Sequence, residues 1–264
     1  MTDHLLPPPG LYLAMDTSGR VGSVALGELR HPPDAPGIPR DPGNPDPTAS
    51  LRLNVLSRAS LEEREEHASL LVPRIRETMD EVGAGKEELV GLVVGAGPGS
   101  FTGVRVGAAT AKGLSRALSL PLWAFSSLAA AAAALDRSSL HPRCVLFDAR
   151  SDRIYAAAYL MKETGTETLL EPFATTVGEL LDGLVPPGAL LMGDGALRHR
   201  ALLEEAGHAV LPPPAGAPEA RGLLRMLTST PGASPVEDPG RWEPEYLRPP
   251  GVERVWKTSR GKGA

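Results

Sequence analysis

The residues with the clearest chemical potential are a glycine-rich turn, Gly97-Pro98-Gly99-Ser100, and its surroundings. The turn follows the apolar run Leu92-Val93-Val94 and precedes a segment with small residues at every fourth position, which predicts a strand, a tight turn and a helix. Glycine permits backbone angles that a Cβ forbids, Ser100 or Thr102 can cap the helix, and free N–H groups of a first helical turn attract an anion. The stretch therefore predicts two roles, holding a phosphate and packing closely against a partner helix.

Two aspartates occupy equivalent places in the two halves of the chain. Asp16 follows the apolar run 11–15 and Asp148 follows the run 144–147, and each is succeeded by a polar turn and a second apolar run. They lie 132 residues apart, half the length of the chain. This pattern predicts a weak internal duplication, with two related lobes that each begin with the same hairpin.

The aspartates and the glycine turns suggest a nucleotide site in a cleft between the two lobes. The alternative interpretation is that these turns only connect strands and helices. In a nucleotide site, Asp16 would hold a metal-bound water and would not act as a nucleophile. The candidate nucleotide-binding residues are Asp16, Thr17, Ser18, Gly97, Gly99, Ser100, Asp148, Gly193, Asp194 and Gly195.

The familiar catalytic motifs are not matched. The glycine turn lacks the spacing of a P-loop, since the next lysine is Lys112, and it lacks the acidic residue that follows a dinucleotide-binding turn. It is also not the G-x-S-x-G turn of a serine hydrolase, and no two histidines have metal-ligand spacing. We therefore predict no catalytic residue and no metal site.

Composition limits the class of protein. The 264 residues are 42% hydrophobic with a formal net charge of −5, which argues against extensive coating by nucleic acid. Cys144 is the only cysteine, so no internal disulfide forms, and a reducing cytoplasm is expected. We expect no signal peptide, because the N-terminus lacks a basic region and a long apolar run. We also expect no membrane span, because the most apolar window, 118–135, contains Pro121 and three serines, and alanine is its commonest residue.

The elements that must position these residues follow from periodicity. Apolar residues at steps of three and four predict an amphipathic helix over 67–82, in which Pro73 should cause a kink or a late start. Further helices are predicted over 104–118, 126–135, 177–184, 198–206 and 221–227. A segment with seven prolines, 31–47, is predicted to be an insertion between strands, with the sheet resuming at 51–56.

The sequence resembles the TsaB (YeaZ) family. The resemblance rests above all on the eleven residues from Gly97 to Gly107, GPGSFTGVRVG, which look like the family's signature. Supporting matches are Met15-Asp16-Thr17-Ser18, His67 with Leu70-Leu71, Asp148-Ala149-Arg150, Gly193-Asp194-Gly195 and Tyr246-Leu247-Arg248. They span most of the chain. The proline-rich segment and Ala68-Ser69, where the family has Ser-Glu, are departures.

The resemblance implies an α/β actin-like, Hsp70-like ATPase (ASKHA) fold with two ribonuclease-H-like lobes. On this basis we expect an N-terminal lobe over 11–120, a C-terminal lobe over 121–248 and a tail over 249–264. The implied function is that of a non-catalytic, cytoplasmic subunit in the synthesis of N6-threonylcarbamoyladenosine beside the anticodon of tRNA. It would support the TsaD transferase together with TsaE and would meet tRNA only through the complex.

In this family the two helices 67–82 and 104–118 dock the partner, either TsaD or a second copy of the chain. The predicted interface residues are His67, Leu71, Ile75, Gly103, Gly107, Ala111 and Ser115. The residues themselves indicate no cofactor, and the resemblance adds ATP or ADP with Mg²⁺ as a ligand of the complex. The alternative function is an active ATPase or phosphotransferase of the same fold, which would use Asp16 and Asp148.

Overall fold

The fold is built on two mixed sheets, each with helices on both faces. A computed structural model describes residues 7–30, 51–61, 67–135, 141–162, 165–230 and 232–247. Within these residues the chain forms ten strands and seven α-helices. The proline-rich segment 31–47 and the tail 249–264 lie outside the described residues.

The first sheet is formed by the N-terminal half of the chain and has the strand order β3-β2-β1-β4-β5. Strand β1 pairs antiparallel with β2 and parallel with β4, and β5 runs parallel to β4. The elements are β1 (Gly10–Asp16), β2 (Gly22–Arg30), β3 (Arg52–Leu61), α1 (His67–Asp80), β4 (Leu89–Gly95), α2 (Phe101–Leu118) and β5 (Leu122–Phe125).

The second sheet has the order β10-β9-β6-β7-β8. Strand β6 pairs antiparallel with β7 and parallel with β9. The elements are α3 (Ser127–Ala134), β6 (Arg143–Asp148), β7 (Arg153–Lys162), β8 (Gly165–Thr176), α4 (Val177–Leu181), β9 (Leu190–Met192), α5 (Asp194–Arg198), α6 (Arg200–Glu205), β10 (Ala209–Val210) and α7 (Ala220–Ser229).

The two sheets have the same topology. Three antiparallel strands that follow one another in sequence lie beside two strands that run parallel to the first, so β6 to β10 repeat the order of β1 to β5. Asp16 and Asp148 end the corresponding strands β1 and β6. The internal duplication and the two ribonuclease-H-like units predicted from the sequence are thus confirmed.

The molecule is organised in five layers. Alternate residues of β1 face opposite sides, so Leu13 packs with α1 and α2 while Tyr12 and Ala14 pack with α7. In β6, Val145 and Phe147 face α3, and Cys144 and Leu146 face α4 and α6. Helices α3 and α7 therefore form the middle layer between the sheets.

The middle layer depends on a close helix crossing. Gly222 of α7 lies against the backbone of α3, and a Cβ on this glycine would collide with the carbonyl oxygen of Ala130 and approach its carbonyl carbon to 2.8 Å. Every residue of α3 is buried, and six of its eight residues are alanine, which keeps both neighbours close. Small side chains on both helices thus bring the two sheets together.

Two arginines complete the C-terminal end of α3. The Arg225 guanidinium donates to the carbonyls of Ala133, Ala134 and Leu135 at 2.9, 3.0 and 2.7 Å. Arg143, only 1% exposed, donates to Ala132 at 2.6 Å. The last carbonyls of a helix lack partners within the helix and carry its negative dipole end, so these cations stabilise α3 where it is most buried.

Several elements differ from the prediction. Helix α1 begins at His67 with Pro73 inside it, so the late start is wrong; Pro73 is exposed. Strands β5 and β8 and helix α5 were not predicted. Residues 122–125 form an apolar run continuous with α3, and β8 is a partly exposed strand that contains polar residues and Pro172, which obscures its pattern.

The division into lobes at residue 120 remains a prediction. Hydrogen bonding of β5 to β4 extends the first sheet to Phe125. Helix α7, which falls in the predicted C-terminal lobe, packs against β2, where Leu224 covers Gly27. The C-terminal part of the chain therefore contributes to the core beneath the first sheet.

Two further observations bear on the predictions from composition. In the described part of the chain, no helix is both long and apolar enough to cross a membrane. Burial of Cys144 in β6 raises the pKa of its thiol to about 12, which keeps it protonated and unreactive at neutral pH.

The close crossing of α3 and α7 predicts opposite effects for two glycine-to-alanine changes. Gly222→Ala should lower the free energy of unfolding by about 1–3 kcal/mol or more, because the new methyl group meets backbone that cannot move aside. Gly113→Ala, in the exposed face of α2 with open space around its Cβ, should raise it by about 0.5–1 kcal/mol. Urea unfolding followed by circular dichroism measures both, and equal effects would contradict the crossing.

Candidate functional site

The glycine turn follows β4 and packs against the segment Thr17-Ser18, which follows β1. Because β1 and β4 are parallel neighbours, their C-terminal ends meet at the same edge of the first sheet. The amide of Ser100 donates to the carbonyl of Ser18 at 2.7 Å, and the Thr17 hydroxyl donates to the carbonyl of Gly103 at 2.6 Å. Ser100 also caps α2 through the amide of Gly103, as predicted.

The glycines permit this contact by removing side chains from it. A Cβ on Gly99 would lie 2.7 Å from the Cβ of Ser18, and one on Gly107 would lie 2.6 Å from the Thr17 hydroxyl oxygen. A Cβ on Gly103 would collide with the Thr17 carbonyl. The space beneath the turn is filled by the chain itself, so the turn does not fit a phosphate on this side.

The ridge of small residues on α2 therefore has a different role from the one predicted. Gly103, Gly107, Ala111 and Ser115 are all buried within the chain, and the Ser115 hydroxyl donates to the carbonyl of Leu120 at 2.6 Å. The ridge faces the strand ends of its own sheet, so these residues are not presented to a partner. A ridge of small residues allows close packing against another protein or against the chain's own strands, and the sequence does not distinguish the two.

The remaining predicted interface residues lie on α1. Leu71 and Ile75 are buried in the core between α1 and the first sheet. His67 is the first residue of the helix. The outward faces of the two helices instead carry Val72, which is 57% exposed, and the exposed residues Ala109 and Gly113.

Asp16 is fully buried at the end of β1. Its Oδ1 accepts a hydrogen bond from the amide of Ser18 at 2.9 Å, and its carboxylate lies so close to Gly95 that a Cβ there would collide with it. The same Cβ position lies 2.7 Å from the hydroxyl oxygen of Ser127, which in turn accepts from the amide of Gly97. The Asp16 carboxylate is thus buried beneath the glycine turn.

Asp148 lies at the corresponding place in the second sheet and is partly exposed. Its two carboxylate oxygens lie 2.9 and 3.1 Å from Nη1 of Arg198, and Oδ1 also accepts from the amide of Arg150. Arg198 further pairs with Asp152 at 3.3 Å. The Arg198 guanidinium therefore lies directly against the Asp148 carboxylate and neutralises its charge.

The structure brings the Gly193-Asp194-Gly195 turn to the same place. Oδ1 of Asp194 accepts from the amide of Asp148 at 2.9 Å, and both glycines lie against the backbone of Leu146. Asp148, Asp194 and the two glycines thus form one cluster. Asp16, Thr17 and Ser18 form a separate cluster with the glycine turn. Among the described residues, no group of three or more His, Cys, Asp or Glu side chains is arranged to hold a metal ion.

A C-terminal strap, residues 236–247, runs beside the cluster that contains the glycine turn. The amide of Val236 donates to Leu122 in β5, Lys112 of α2 donates to the carbonyl of Trp242 at 2.8 Å, and the amide of Glu245 donates to Ala96. The strap thereby encloses a cavity of about 180 Å³ between the glycine turn and β7. The cavity is lined by Pro98, Gly99, Phe101, Val104, Tyr155, Glu245, Tyr246 and Leu247.

An aromatic–arginine cluster, formed by Phe101, Arg105 and Tyr246, stands at the mouth of this cavity. The Arg105 guanidinium lies 3.8 Å from the centroid of the Phe101 ring, and its Nε donates to the Tyr246 hydroxyl at 3.1 Å. The two rings are tilted and 5.4 Å apart. Inside the cavity, desolvation and the nearby Glu171 carboxylate raise the pKa of Glu245.

The contacts of Arg198, Arg105 and Tyr246 were not predicted from the sequence. The Phe101–Arg105 pair had a usable signal, because residues four apart on a helix face the same side. Arg198 had none, since its pairing with Asp148 links residues fifty positions apart. Tyr246 lay in a segment that matches the family, but nothing in the sequence placed it beside α2.

Comparison with known protein families gives one match. A family model described as "TsaD: tRNA N6-adenosine threonylcarbamoyltransferase" matches residues 54–204, more than half of the chain. The chain belongs to this family. The resemblance stated from the sequence motifs is therefore confirmed at the level of the family.

The curated relatives carry a more specific name. The chain is 33% identical over 114 residues to the Escherichia coli protein named "tRNA threonylcarbamoyladenosine biosynthesis protein TsaB", a match that covers 40% of this chain and 49% of that protein. The Haemophilus influenzae protein of the same name is 33% identical over 147 residues, 54% of this chain and 51% of that protein. The chain thus spans about half the length of the curated relatives it matches.

A solved structure titled "YeaZ from Pseudomonas aeruginosa" is similar in fold. It is 24% identical, covers 90% of this chain and 100% of its own, and superposes with a TM-score of 0.66. At this identity the likeness concerns the fold alone. Together with the family model it confirms the predicted α/β fold of actin-like, Hsp70-like ATPases.

The contact between the small-residue ridge and Thr17 predicts a measurable coupling. Gly107→Ala should lower the free energy of unfolding by about 1–3 kcal/mol, because its methyl group would crowd the Thr17 hydroxyl. In a Thr17→Ala background that hydroxyl is absent, so the cost of Gly107→Ala should fall by at least about half. Chemical denaturation of the four proteins of this cycle tests the contact, and additive effects would show that Gly107 does not meet Thr17.

Proposed function

We propose that this chain is a subunit of the machinery that forms N6-threonylcarbamoyladenosine in tRNA. It supports a TsaD-type transferase, with TsaE as a further member, and does not itself transfer the threonylcarbamoyl group. The names of its curated relatives and of its family model support this role. Because the proposed role is the modification of tRNA, we expect the chain to act in the cytoplasm.

The observation that carries the accessory role is the state of the two strand-end aspartates. In an active ATPase of this fold these carboxylates would face a metal-bound nucleotide. Here Asp16 is fully buried beneath the glycine turn, and Arg198 contacts both carboxylate oxygens of Asp148. One carboxylate is enclosed and the other is paired with an arginine, which favours a subunit that acts through its surface.

The proposed docking surface is the outward face of α1 and α2. Their inward faces are committed to the core, so a partner meets Val72, Ala109 and Gly113 instead. Gly113 has open space around its Cβ and Ala109 has only a methyl group, so another helix can approach α2 closely here. The partner is a TsaD-type subunit or, in its absence, a second copy of this chain.

Charged substitutions on this face should block docking without unfolding the chain. We expect Val72→Glu combined with Gly113→Glu to weaken capture of a co-expressed TsaD subunit by at least tenfold, because two carboxylates would be desolvated in an apolar contact. Leu202→Glu, at an exposed leucine of α6 in the opposite outer layer, is the matched control and should leave capture unchanged. Affinity capture and native mass spectrometry measure the complex.

Melting temperatures of both variants near that of the unmodified protein are needed for this comparison. Full capture by the double variant would refute the docking face. Failure of the unmodified chain to support threonylcarbamoylation in a reconstituted system with TsaD and TsaE would refute the proposed function itself.

The alternative function is an active ATPase or phosphotransferase, since aspartates end β1 and β6 as such an enzyme requires. The residues do not fit a bound phosphate beneath the glycine turn, where Ser18 fills the space. We therefore expect calorimetry of the isolated chain with ATP and Mg²⁺ to show no turnover. Turnover that is lost in Asp148→Asn, a change at a partly exposed carboxylate, would establish the alternative.

A further inference from the structure

We propose that the cavity between the glycine turn and β7 binds an alkylammonium group, which a lysine side chain of the docked partner supplies. This inference rests on the proposed function, because it places one contact of the partner beside the proposed docking surface. Three observations carry it. They are the lining of the cavity, two carboxylates close to it and a buried hydroxyl that has no partner.

The cavity has the size and the lining for a single side chain. Its volume is about 180 Å³, whereas sites for cofactors and drug-sized ligands occupy about 300–1,000 Å³. Three of its lining residues are aromatic, namely Phe101, Tyr155 and Tyr246, and Val104 and Leu247 add aliphatic walls. Such walls suit the aliphatic stem of a lysine, and aromatic rings attract its ammonium group.

Two carboxylates make this part of the molecule negative. Glu245 lines the cavity, and desolvation together with the nearby Glu171 of β8 raises the pKa of the Glu245 carboxyl. Within the described residues, no basic side chain forms an ion pair with either carboxylate. The Arg105 guanidinium at the mouth is held instead by Phe101 and Tyr246. A bound ammonium group would therefore relieve the repulsion between two like charges.

A buried hydroxyl supplies an independent observation. Tyr159 of β7 is only 3% exposed, and its hydroxyl oxygen has no hydrogen-bond partner in the part of the chain that the structure describes. Ser126 comes close to this oxygen without the geometry of a hydrogen bond, and Glu171 and Glu245 both lie near it. Buried polar groups without a partner are rare in folded proteins. The two carboxylates and this hydroxyl offer three acceptors, and an ammonium group has three donors.

The mouth of the cavity adjoins the proposed docking surface. Phe101, Arg105, Ala109 and Gly113 follow one another on α2 at steps of four residues, and all four are exposed. Residues four apart are neighbours on the surface of a helix. A partner packed over Ala109 and Gly113 can therefore extend a long side chain past Phe101 into the cavity. Lysine combines this reach with the positive charge that the carboxylates require.

The first experiment measures binding of free n-butylammonium to the full-length chain by methyl NMR. The shifts of Val104 and Leu247 report on the cavity, and Leu180, buried on the opposite face of the second sheet, is the internal control. We expect a Kd of about 1–10 mM, a reasonable affinity for such a small ligand. Neutral 1-butanol and anionic butyrate keep the alkyl chain but lack the positive charge, so they should bind at least about tenfold more weakly.

Substitutions then test the acceptors. Glu245→Gln keeps the backbone hydrogen bond to Ala96 but removes the charge, so butylammonium affinity should fall at least about tenfold. Glu243→Gln, at an exposed glutamate of the same strap that does not line the cavity, is the matched control and should change it less than about twofold. Tyr159→Phe should weaken binding about twofold to tenfold without lowering the melting temperature, because the chain itself does not use this hydroxyl.

The source of the ammonium group is tested in the complex. If a lysine of TsaD enters the cavity, Glu245→Gln should weaken capture of co-expressed TsaD at least about threefold, and Glu243→Gln should not. Butylammonium chloride at about 50 mM should also weaken capture by the unmodified chain more than the same concentration of sodium chloride, because it competes for the cavity.

Distinct results would overturn each part of the proposal. Absence of butylammonium shifts at Val104 and Leu247, or unchanged affinity in Glu245→Gln, would refute the ammonium site. Butylammonium binding combined with full TsaD capture by Glu245→Gln would refute the partner's lysine as its source and identify the ligand as a free amine. The accessory role is tested independently by reconstitution with TsaD and TsaE, so its failure is distinguishable from failure of this site.

Discussion

The close crossing of α3 and α7 is the constraint on which the rest of the structure depends. Each sheet needs an apolar layer on its inner face, and this single pair of helices serves both sheets. The pair fits because α3 is mostly alanine and because Gly222 brings α7 against the α3 backbone. Burying a helix so completely would leave its last carbonyls without partners, and Arg143 and Arg225 supply those partners. The contact between α3 and α7 thus determines the core packing, the capping of α3 and the spacing of the two sheets together.

The same principle of backbone contact explains the glycine turn. A phosphate-binding turn and a packing turn both need glycine, since both bring backbone close to another group. Here the other group is the chain's own Thr17-Ser18 segment, which fills the space beneath the turn. The consequence is that the two strand-end aspartates take different environments, one buried and one paired with Arg198. The proposed docking surface accordingly lies away from the turn, on the outer faces of α1 and α2.

Much of the fold could be predicted from the sequence because its signals are local. The apolar runs that end at Asp16 and Asp148, the periodicity of α1 and the capping serines of α2 and α3 all specify their own elements. The side of α2 that faces inward could not be predicted, since small residues permit close approach to a partner or to the chain's own strands. Nor could the ion pair between Asp148 and Arg198 or the contact of Tyr246 with Arg105, because each joins residues distant in sequence. The elements of the site were therefore predictable, while its environment depends on tertiary contacts.

The hydrogen bond from Val236 to Leu122 places the strap on the outer side of β5, the last strand of the first sheet. A strand at the edge of a sheet presents unpaired N–H and C=O groups that can pair with another chain. The strap covers part of this edge, and β5 is itself only four residues long. The opposite edge, β3, carries exposed arginines, whose charges repel a like strand. The C-terminal part of the chain thus also protects the protein from edge-to-edge aggregation, and this protection would be lost on proteolytic removal of the strap.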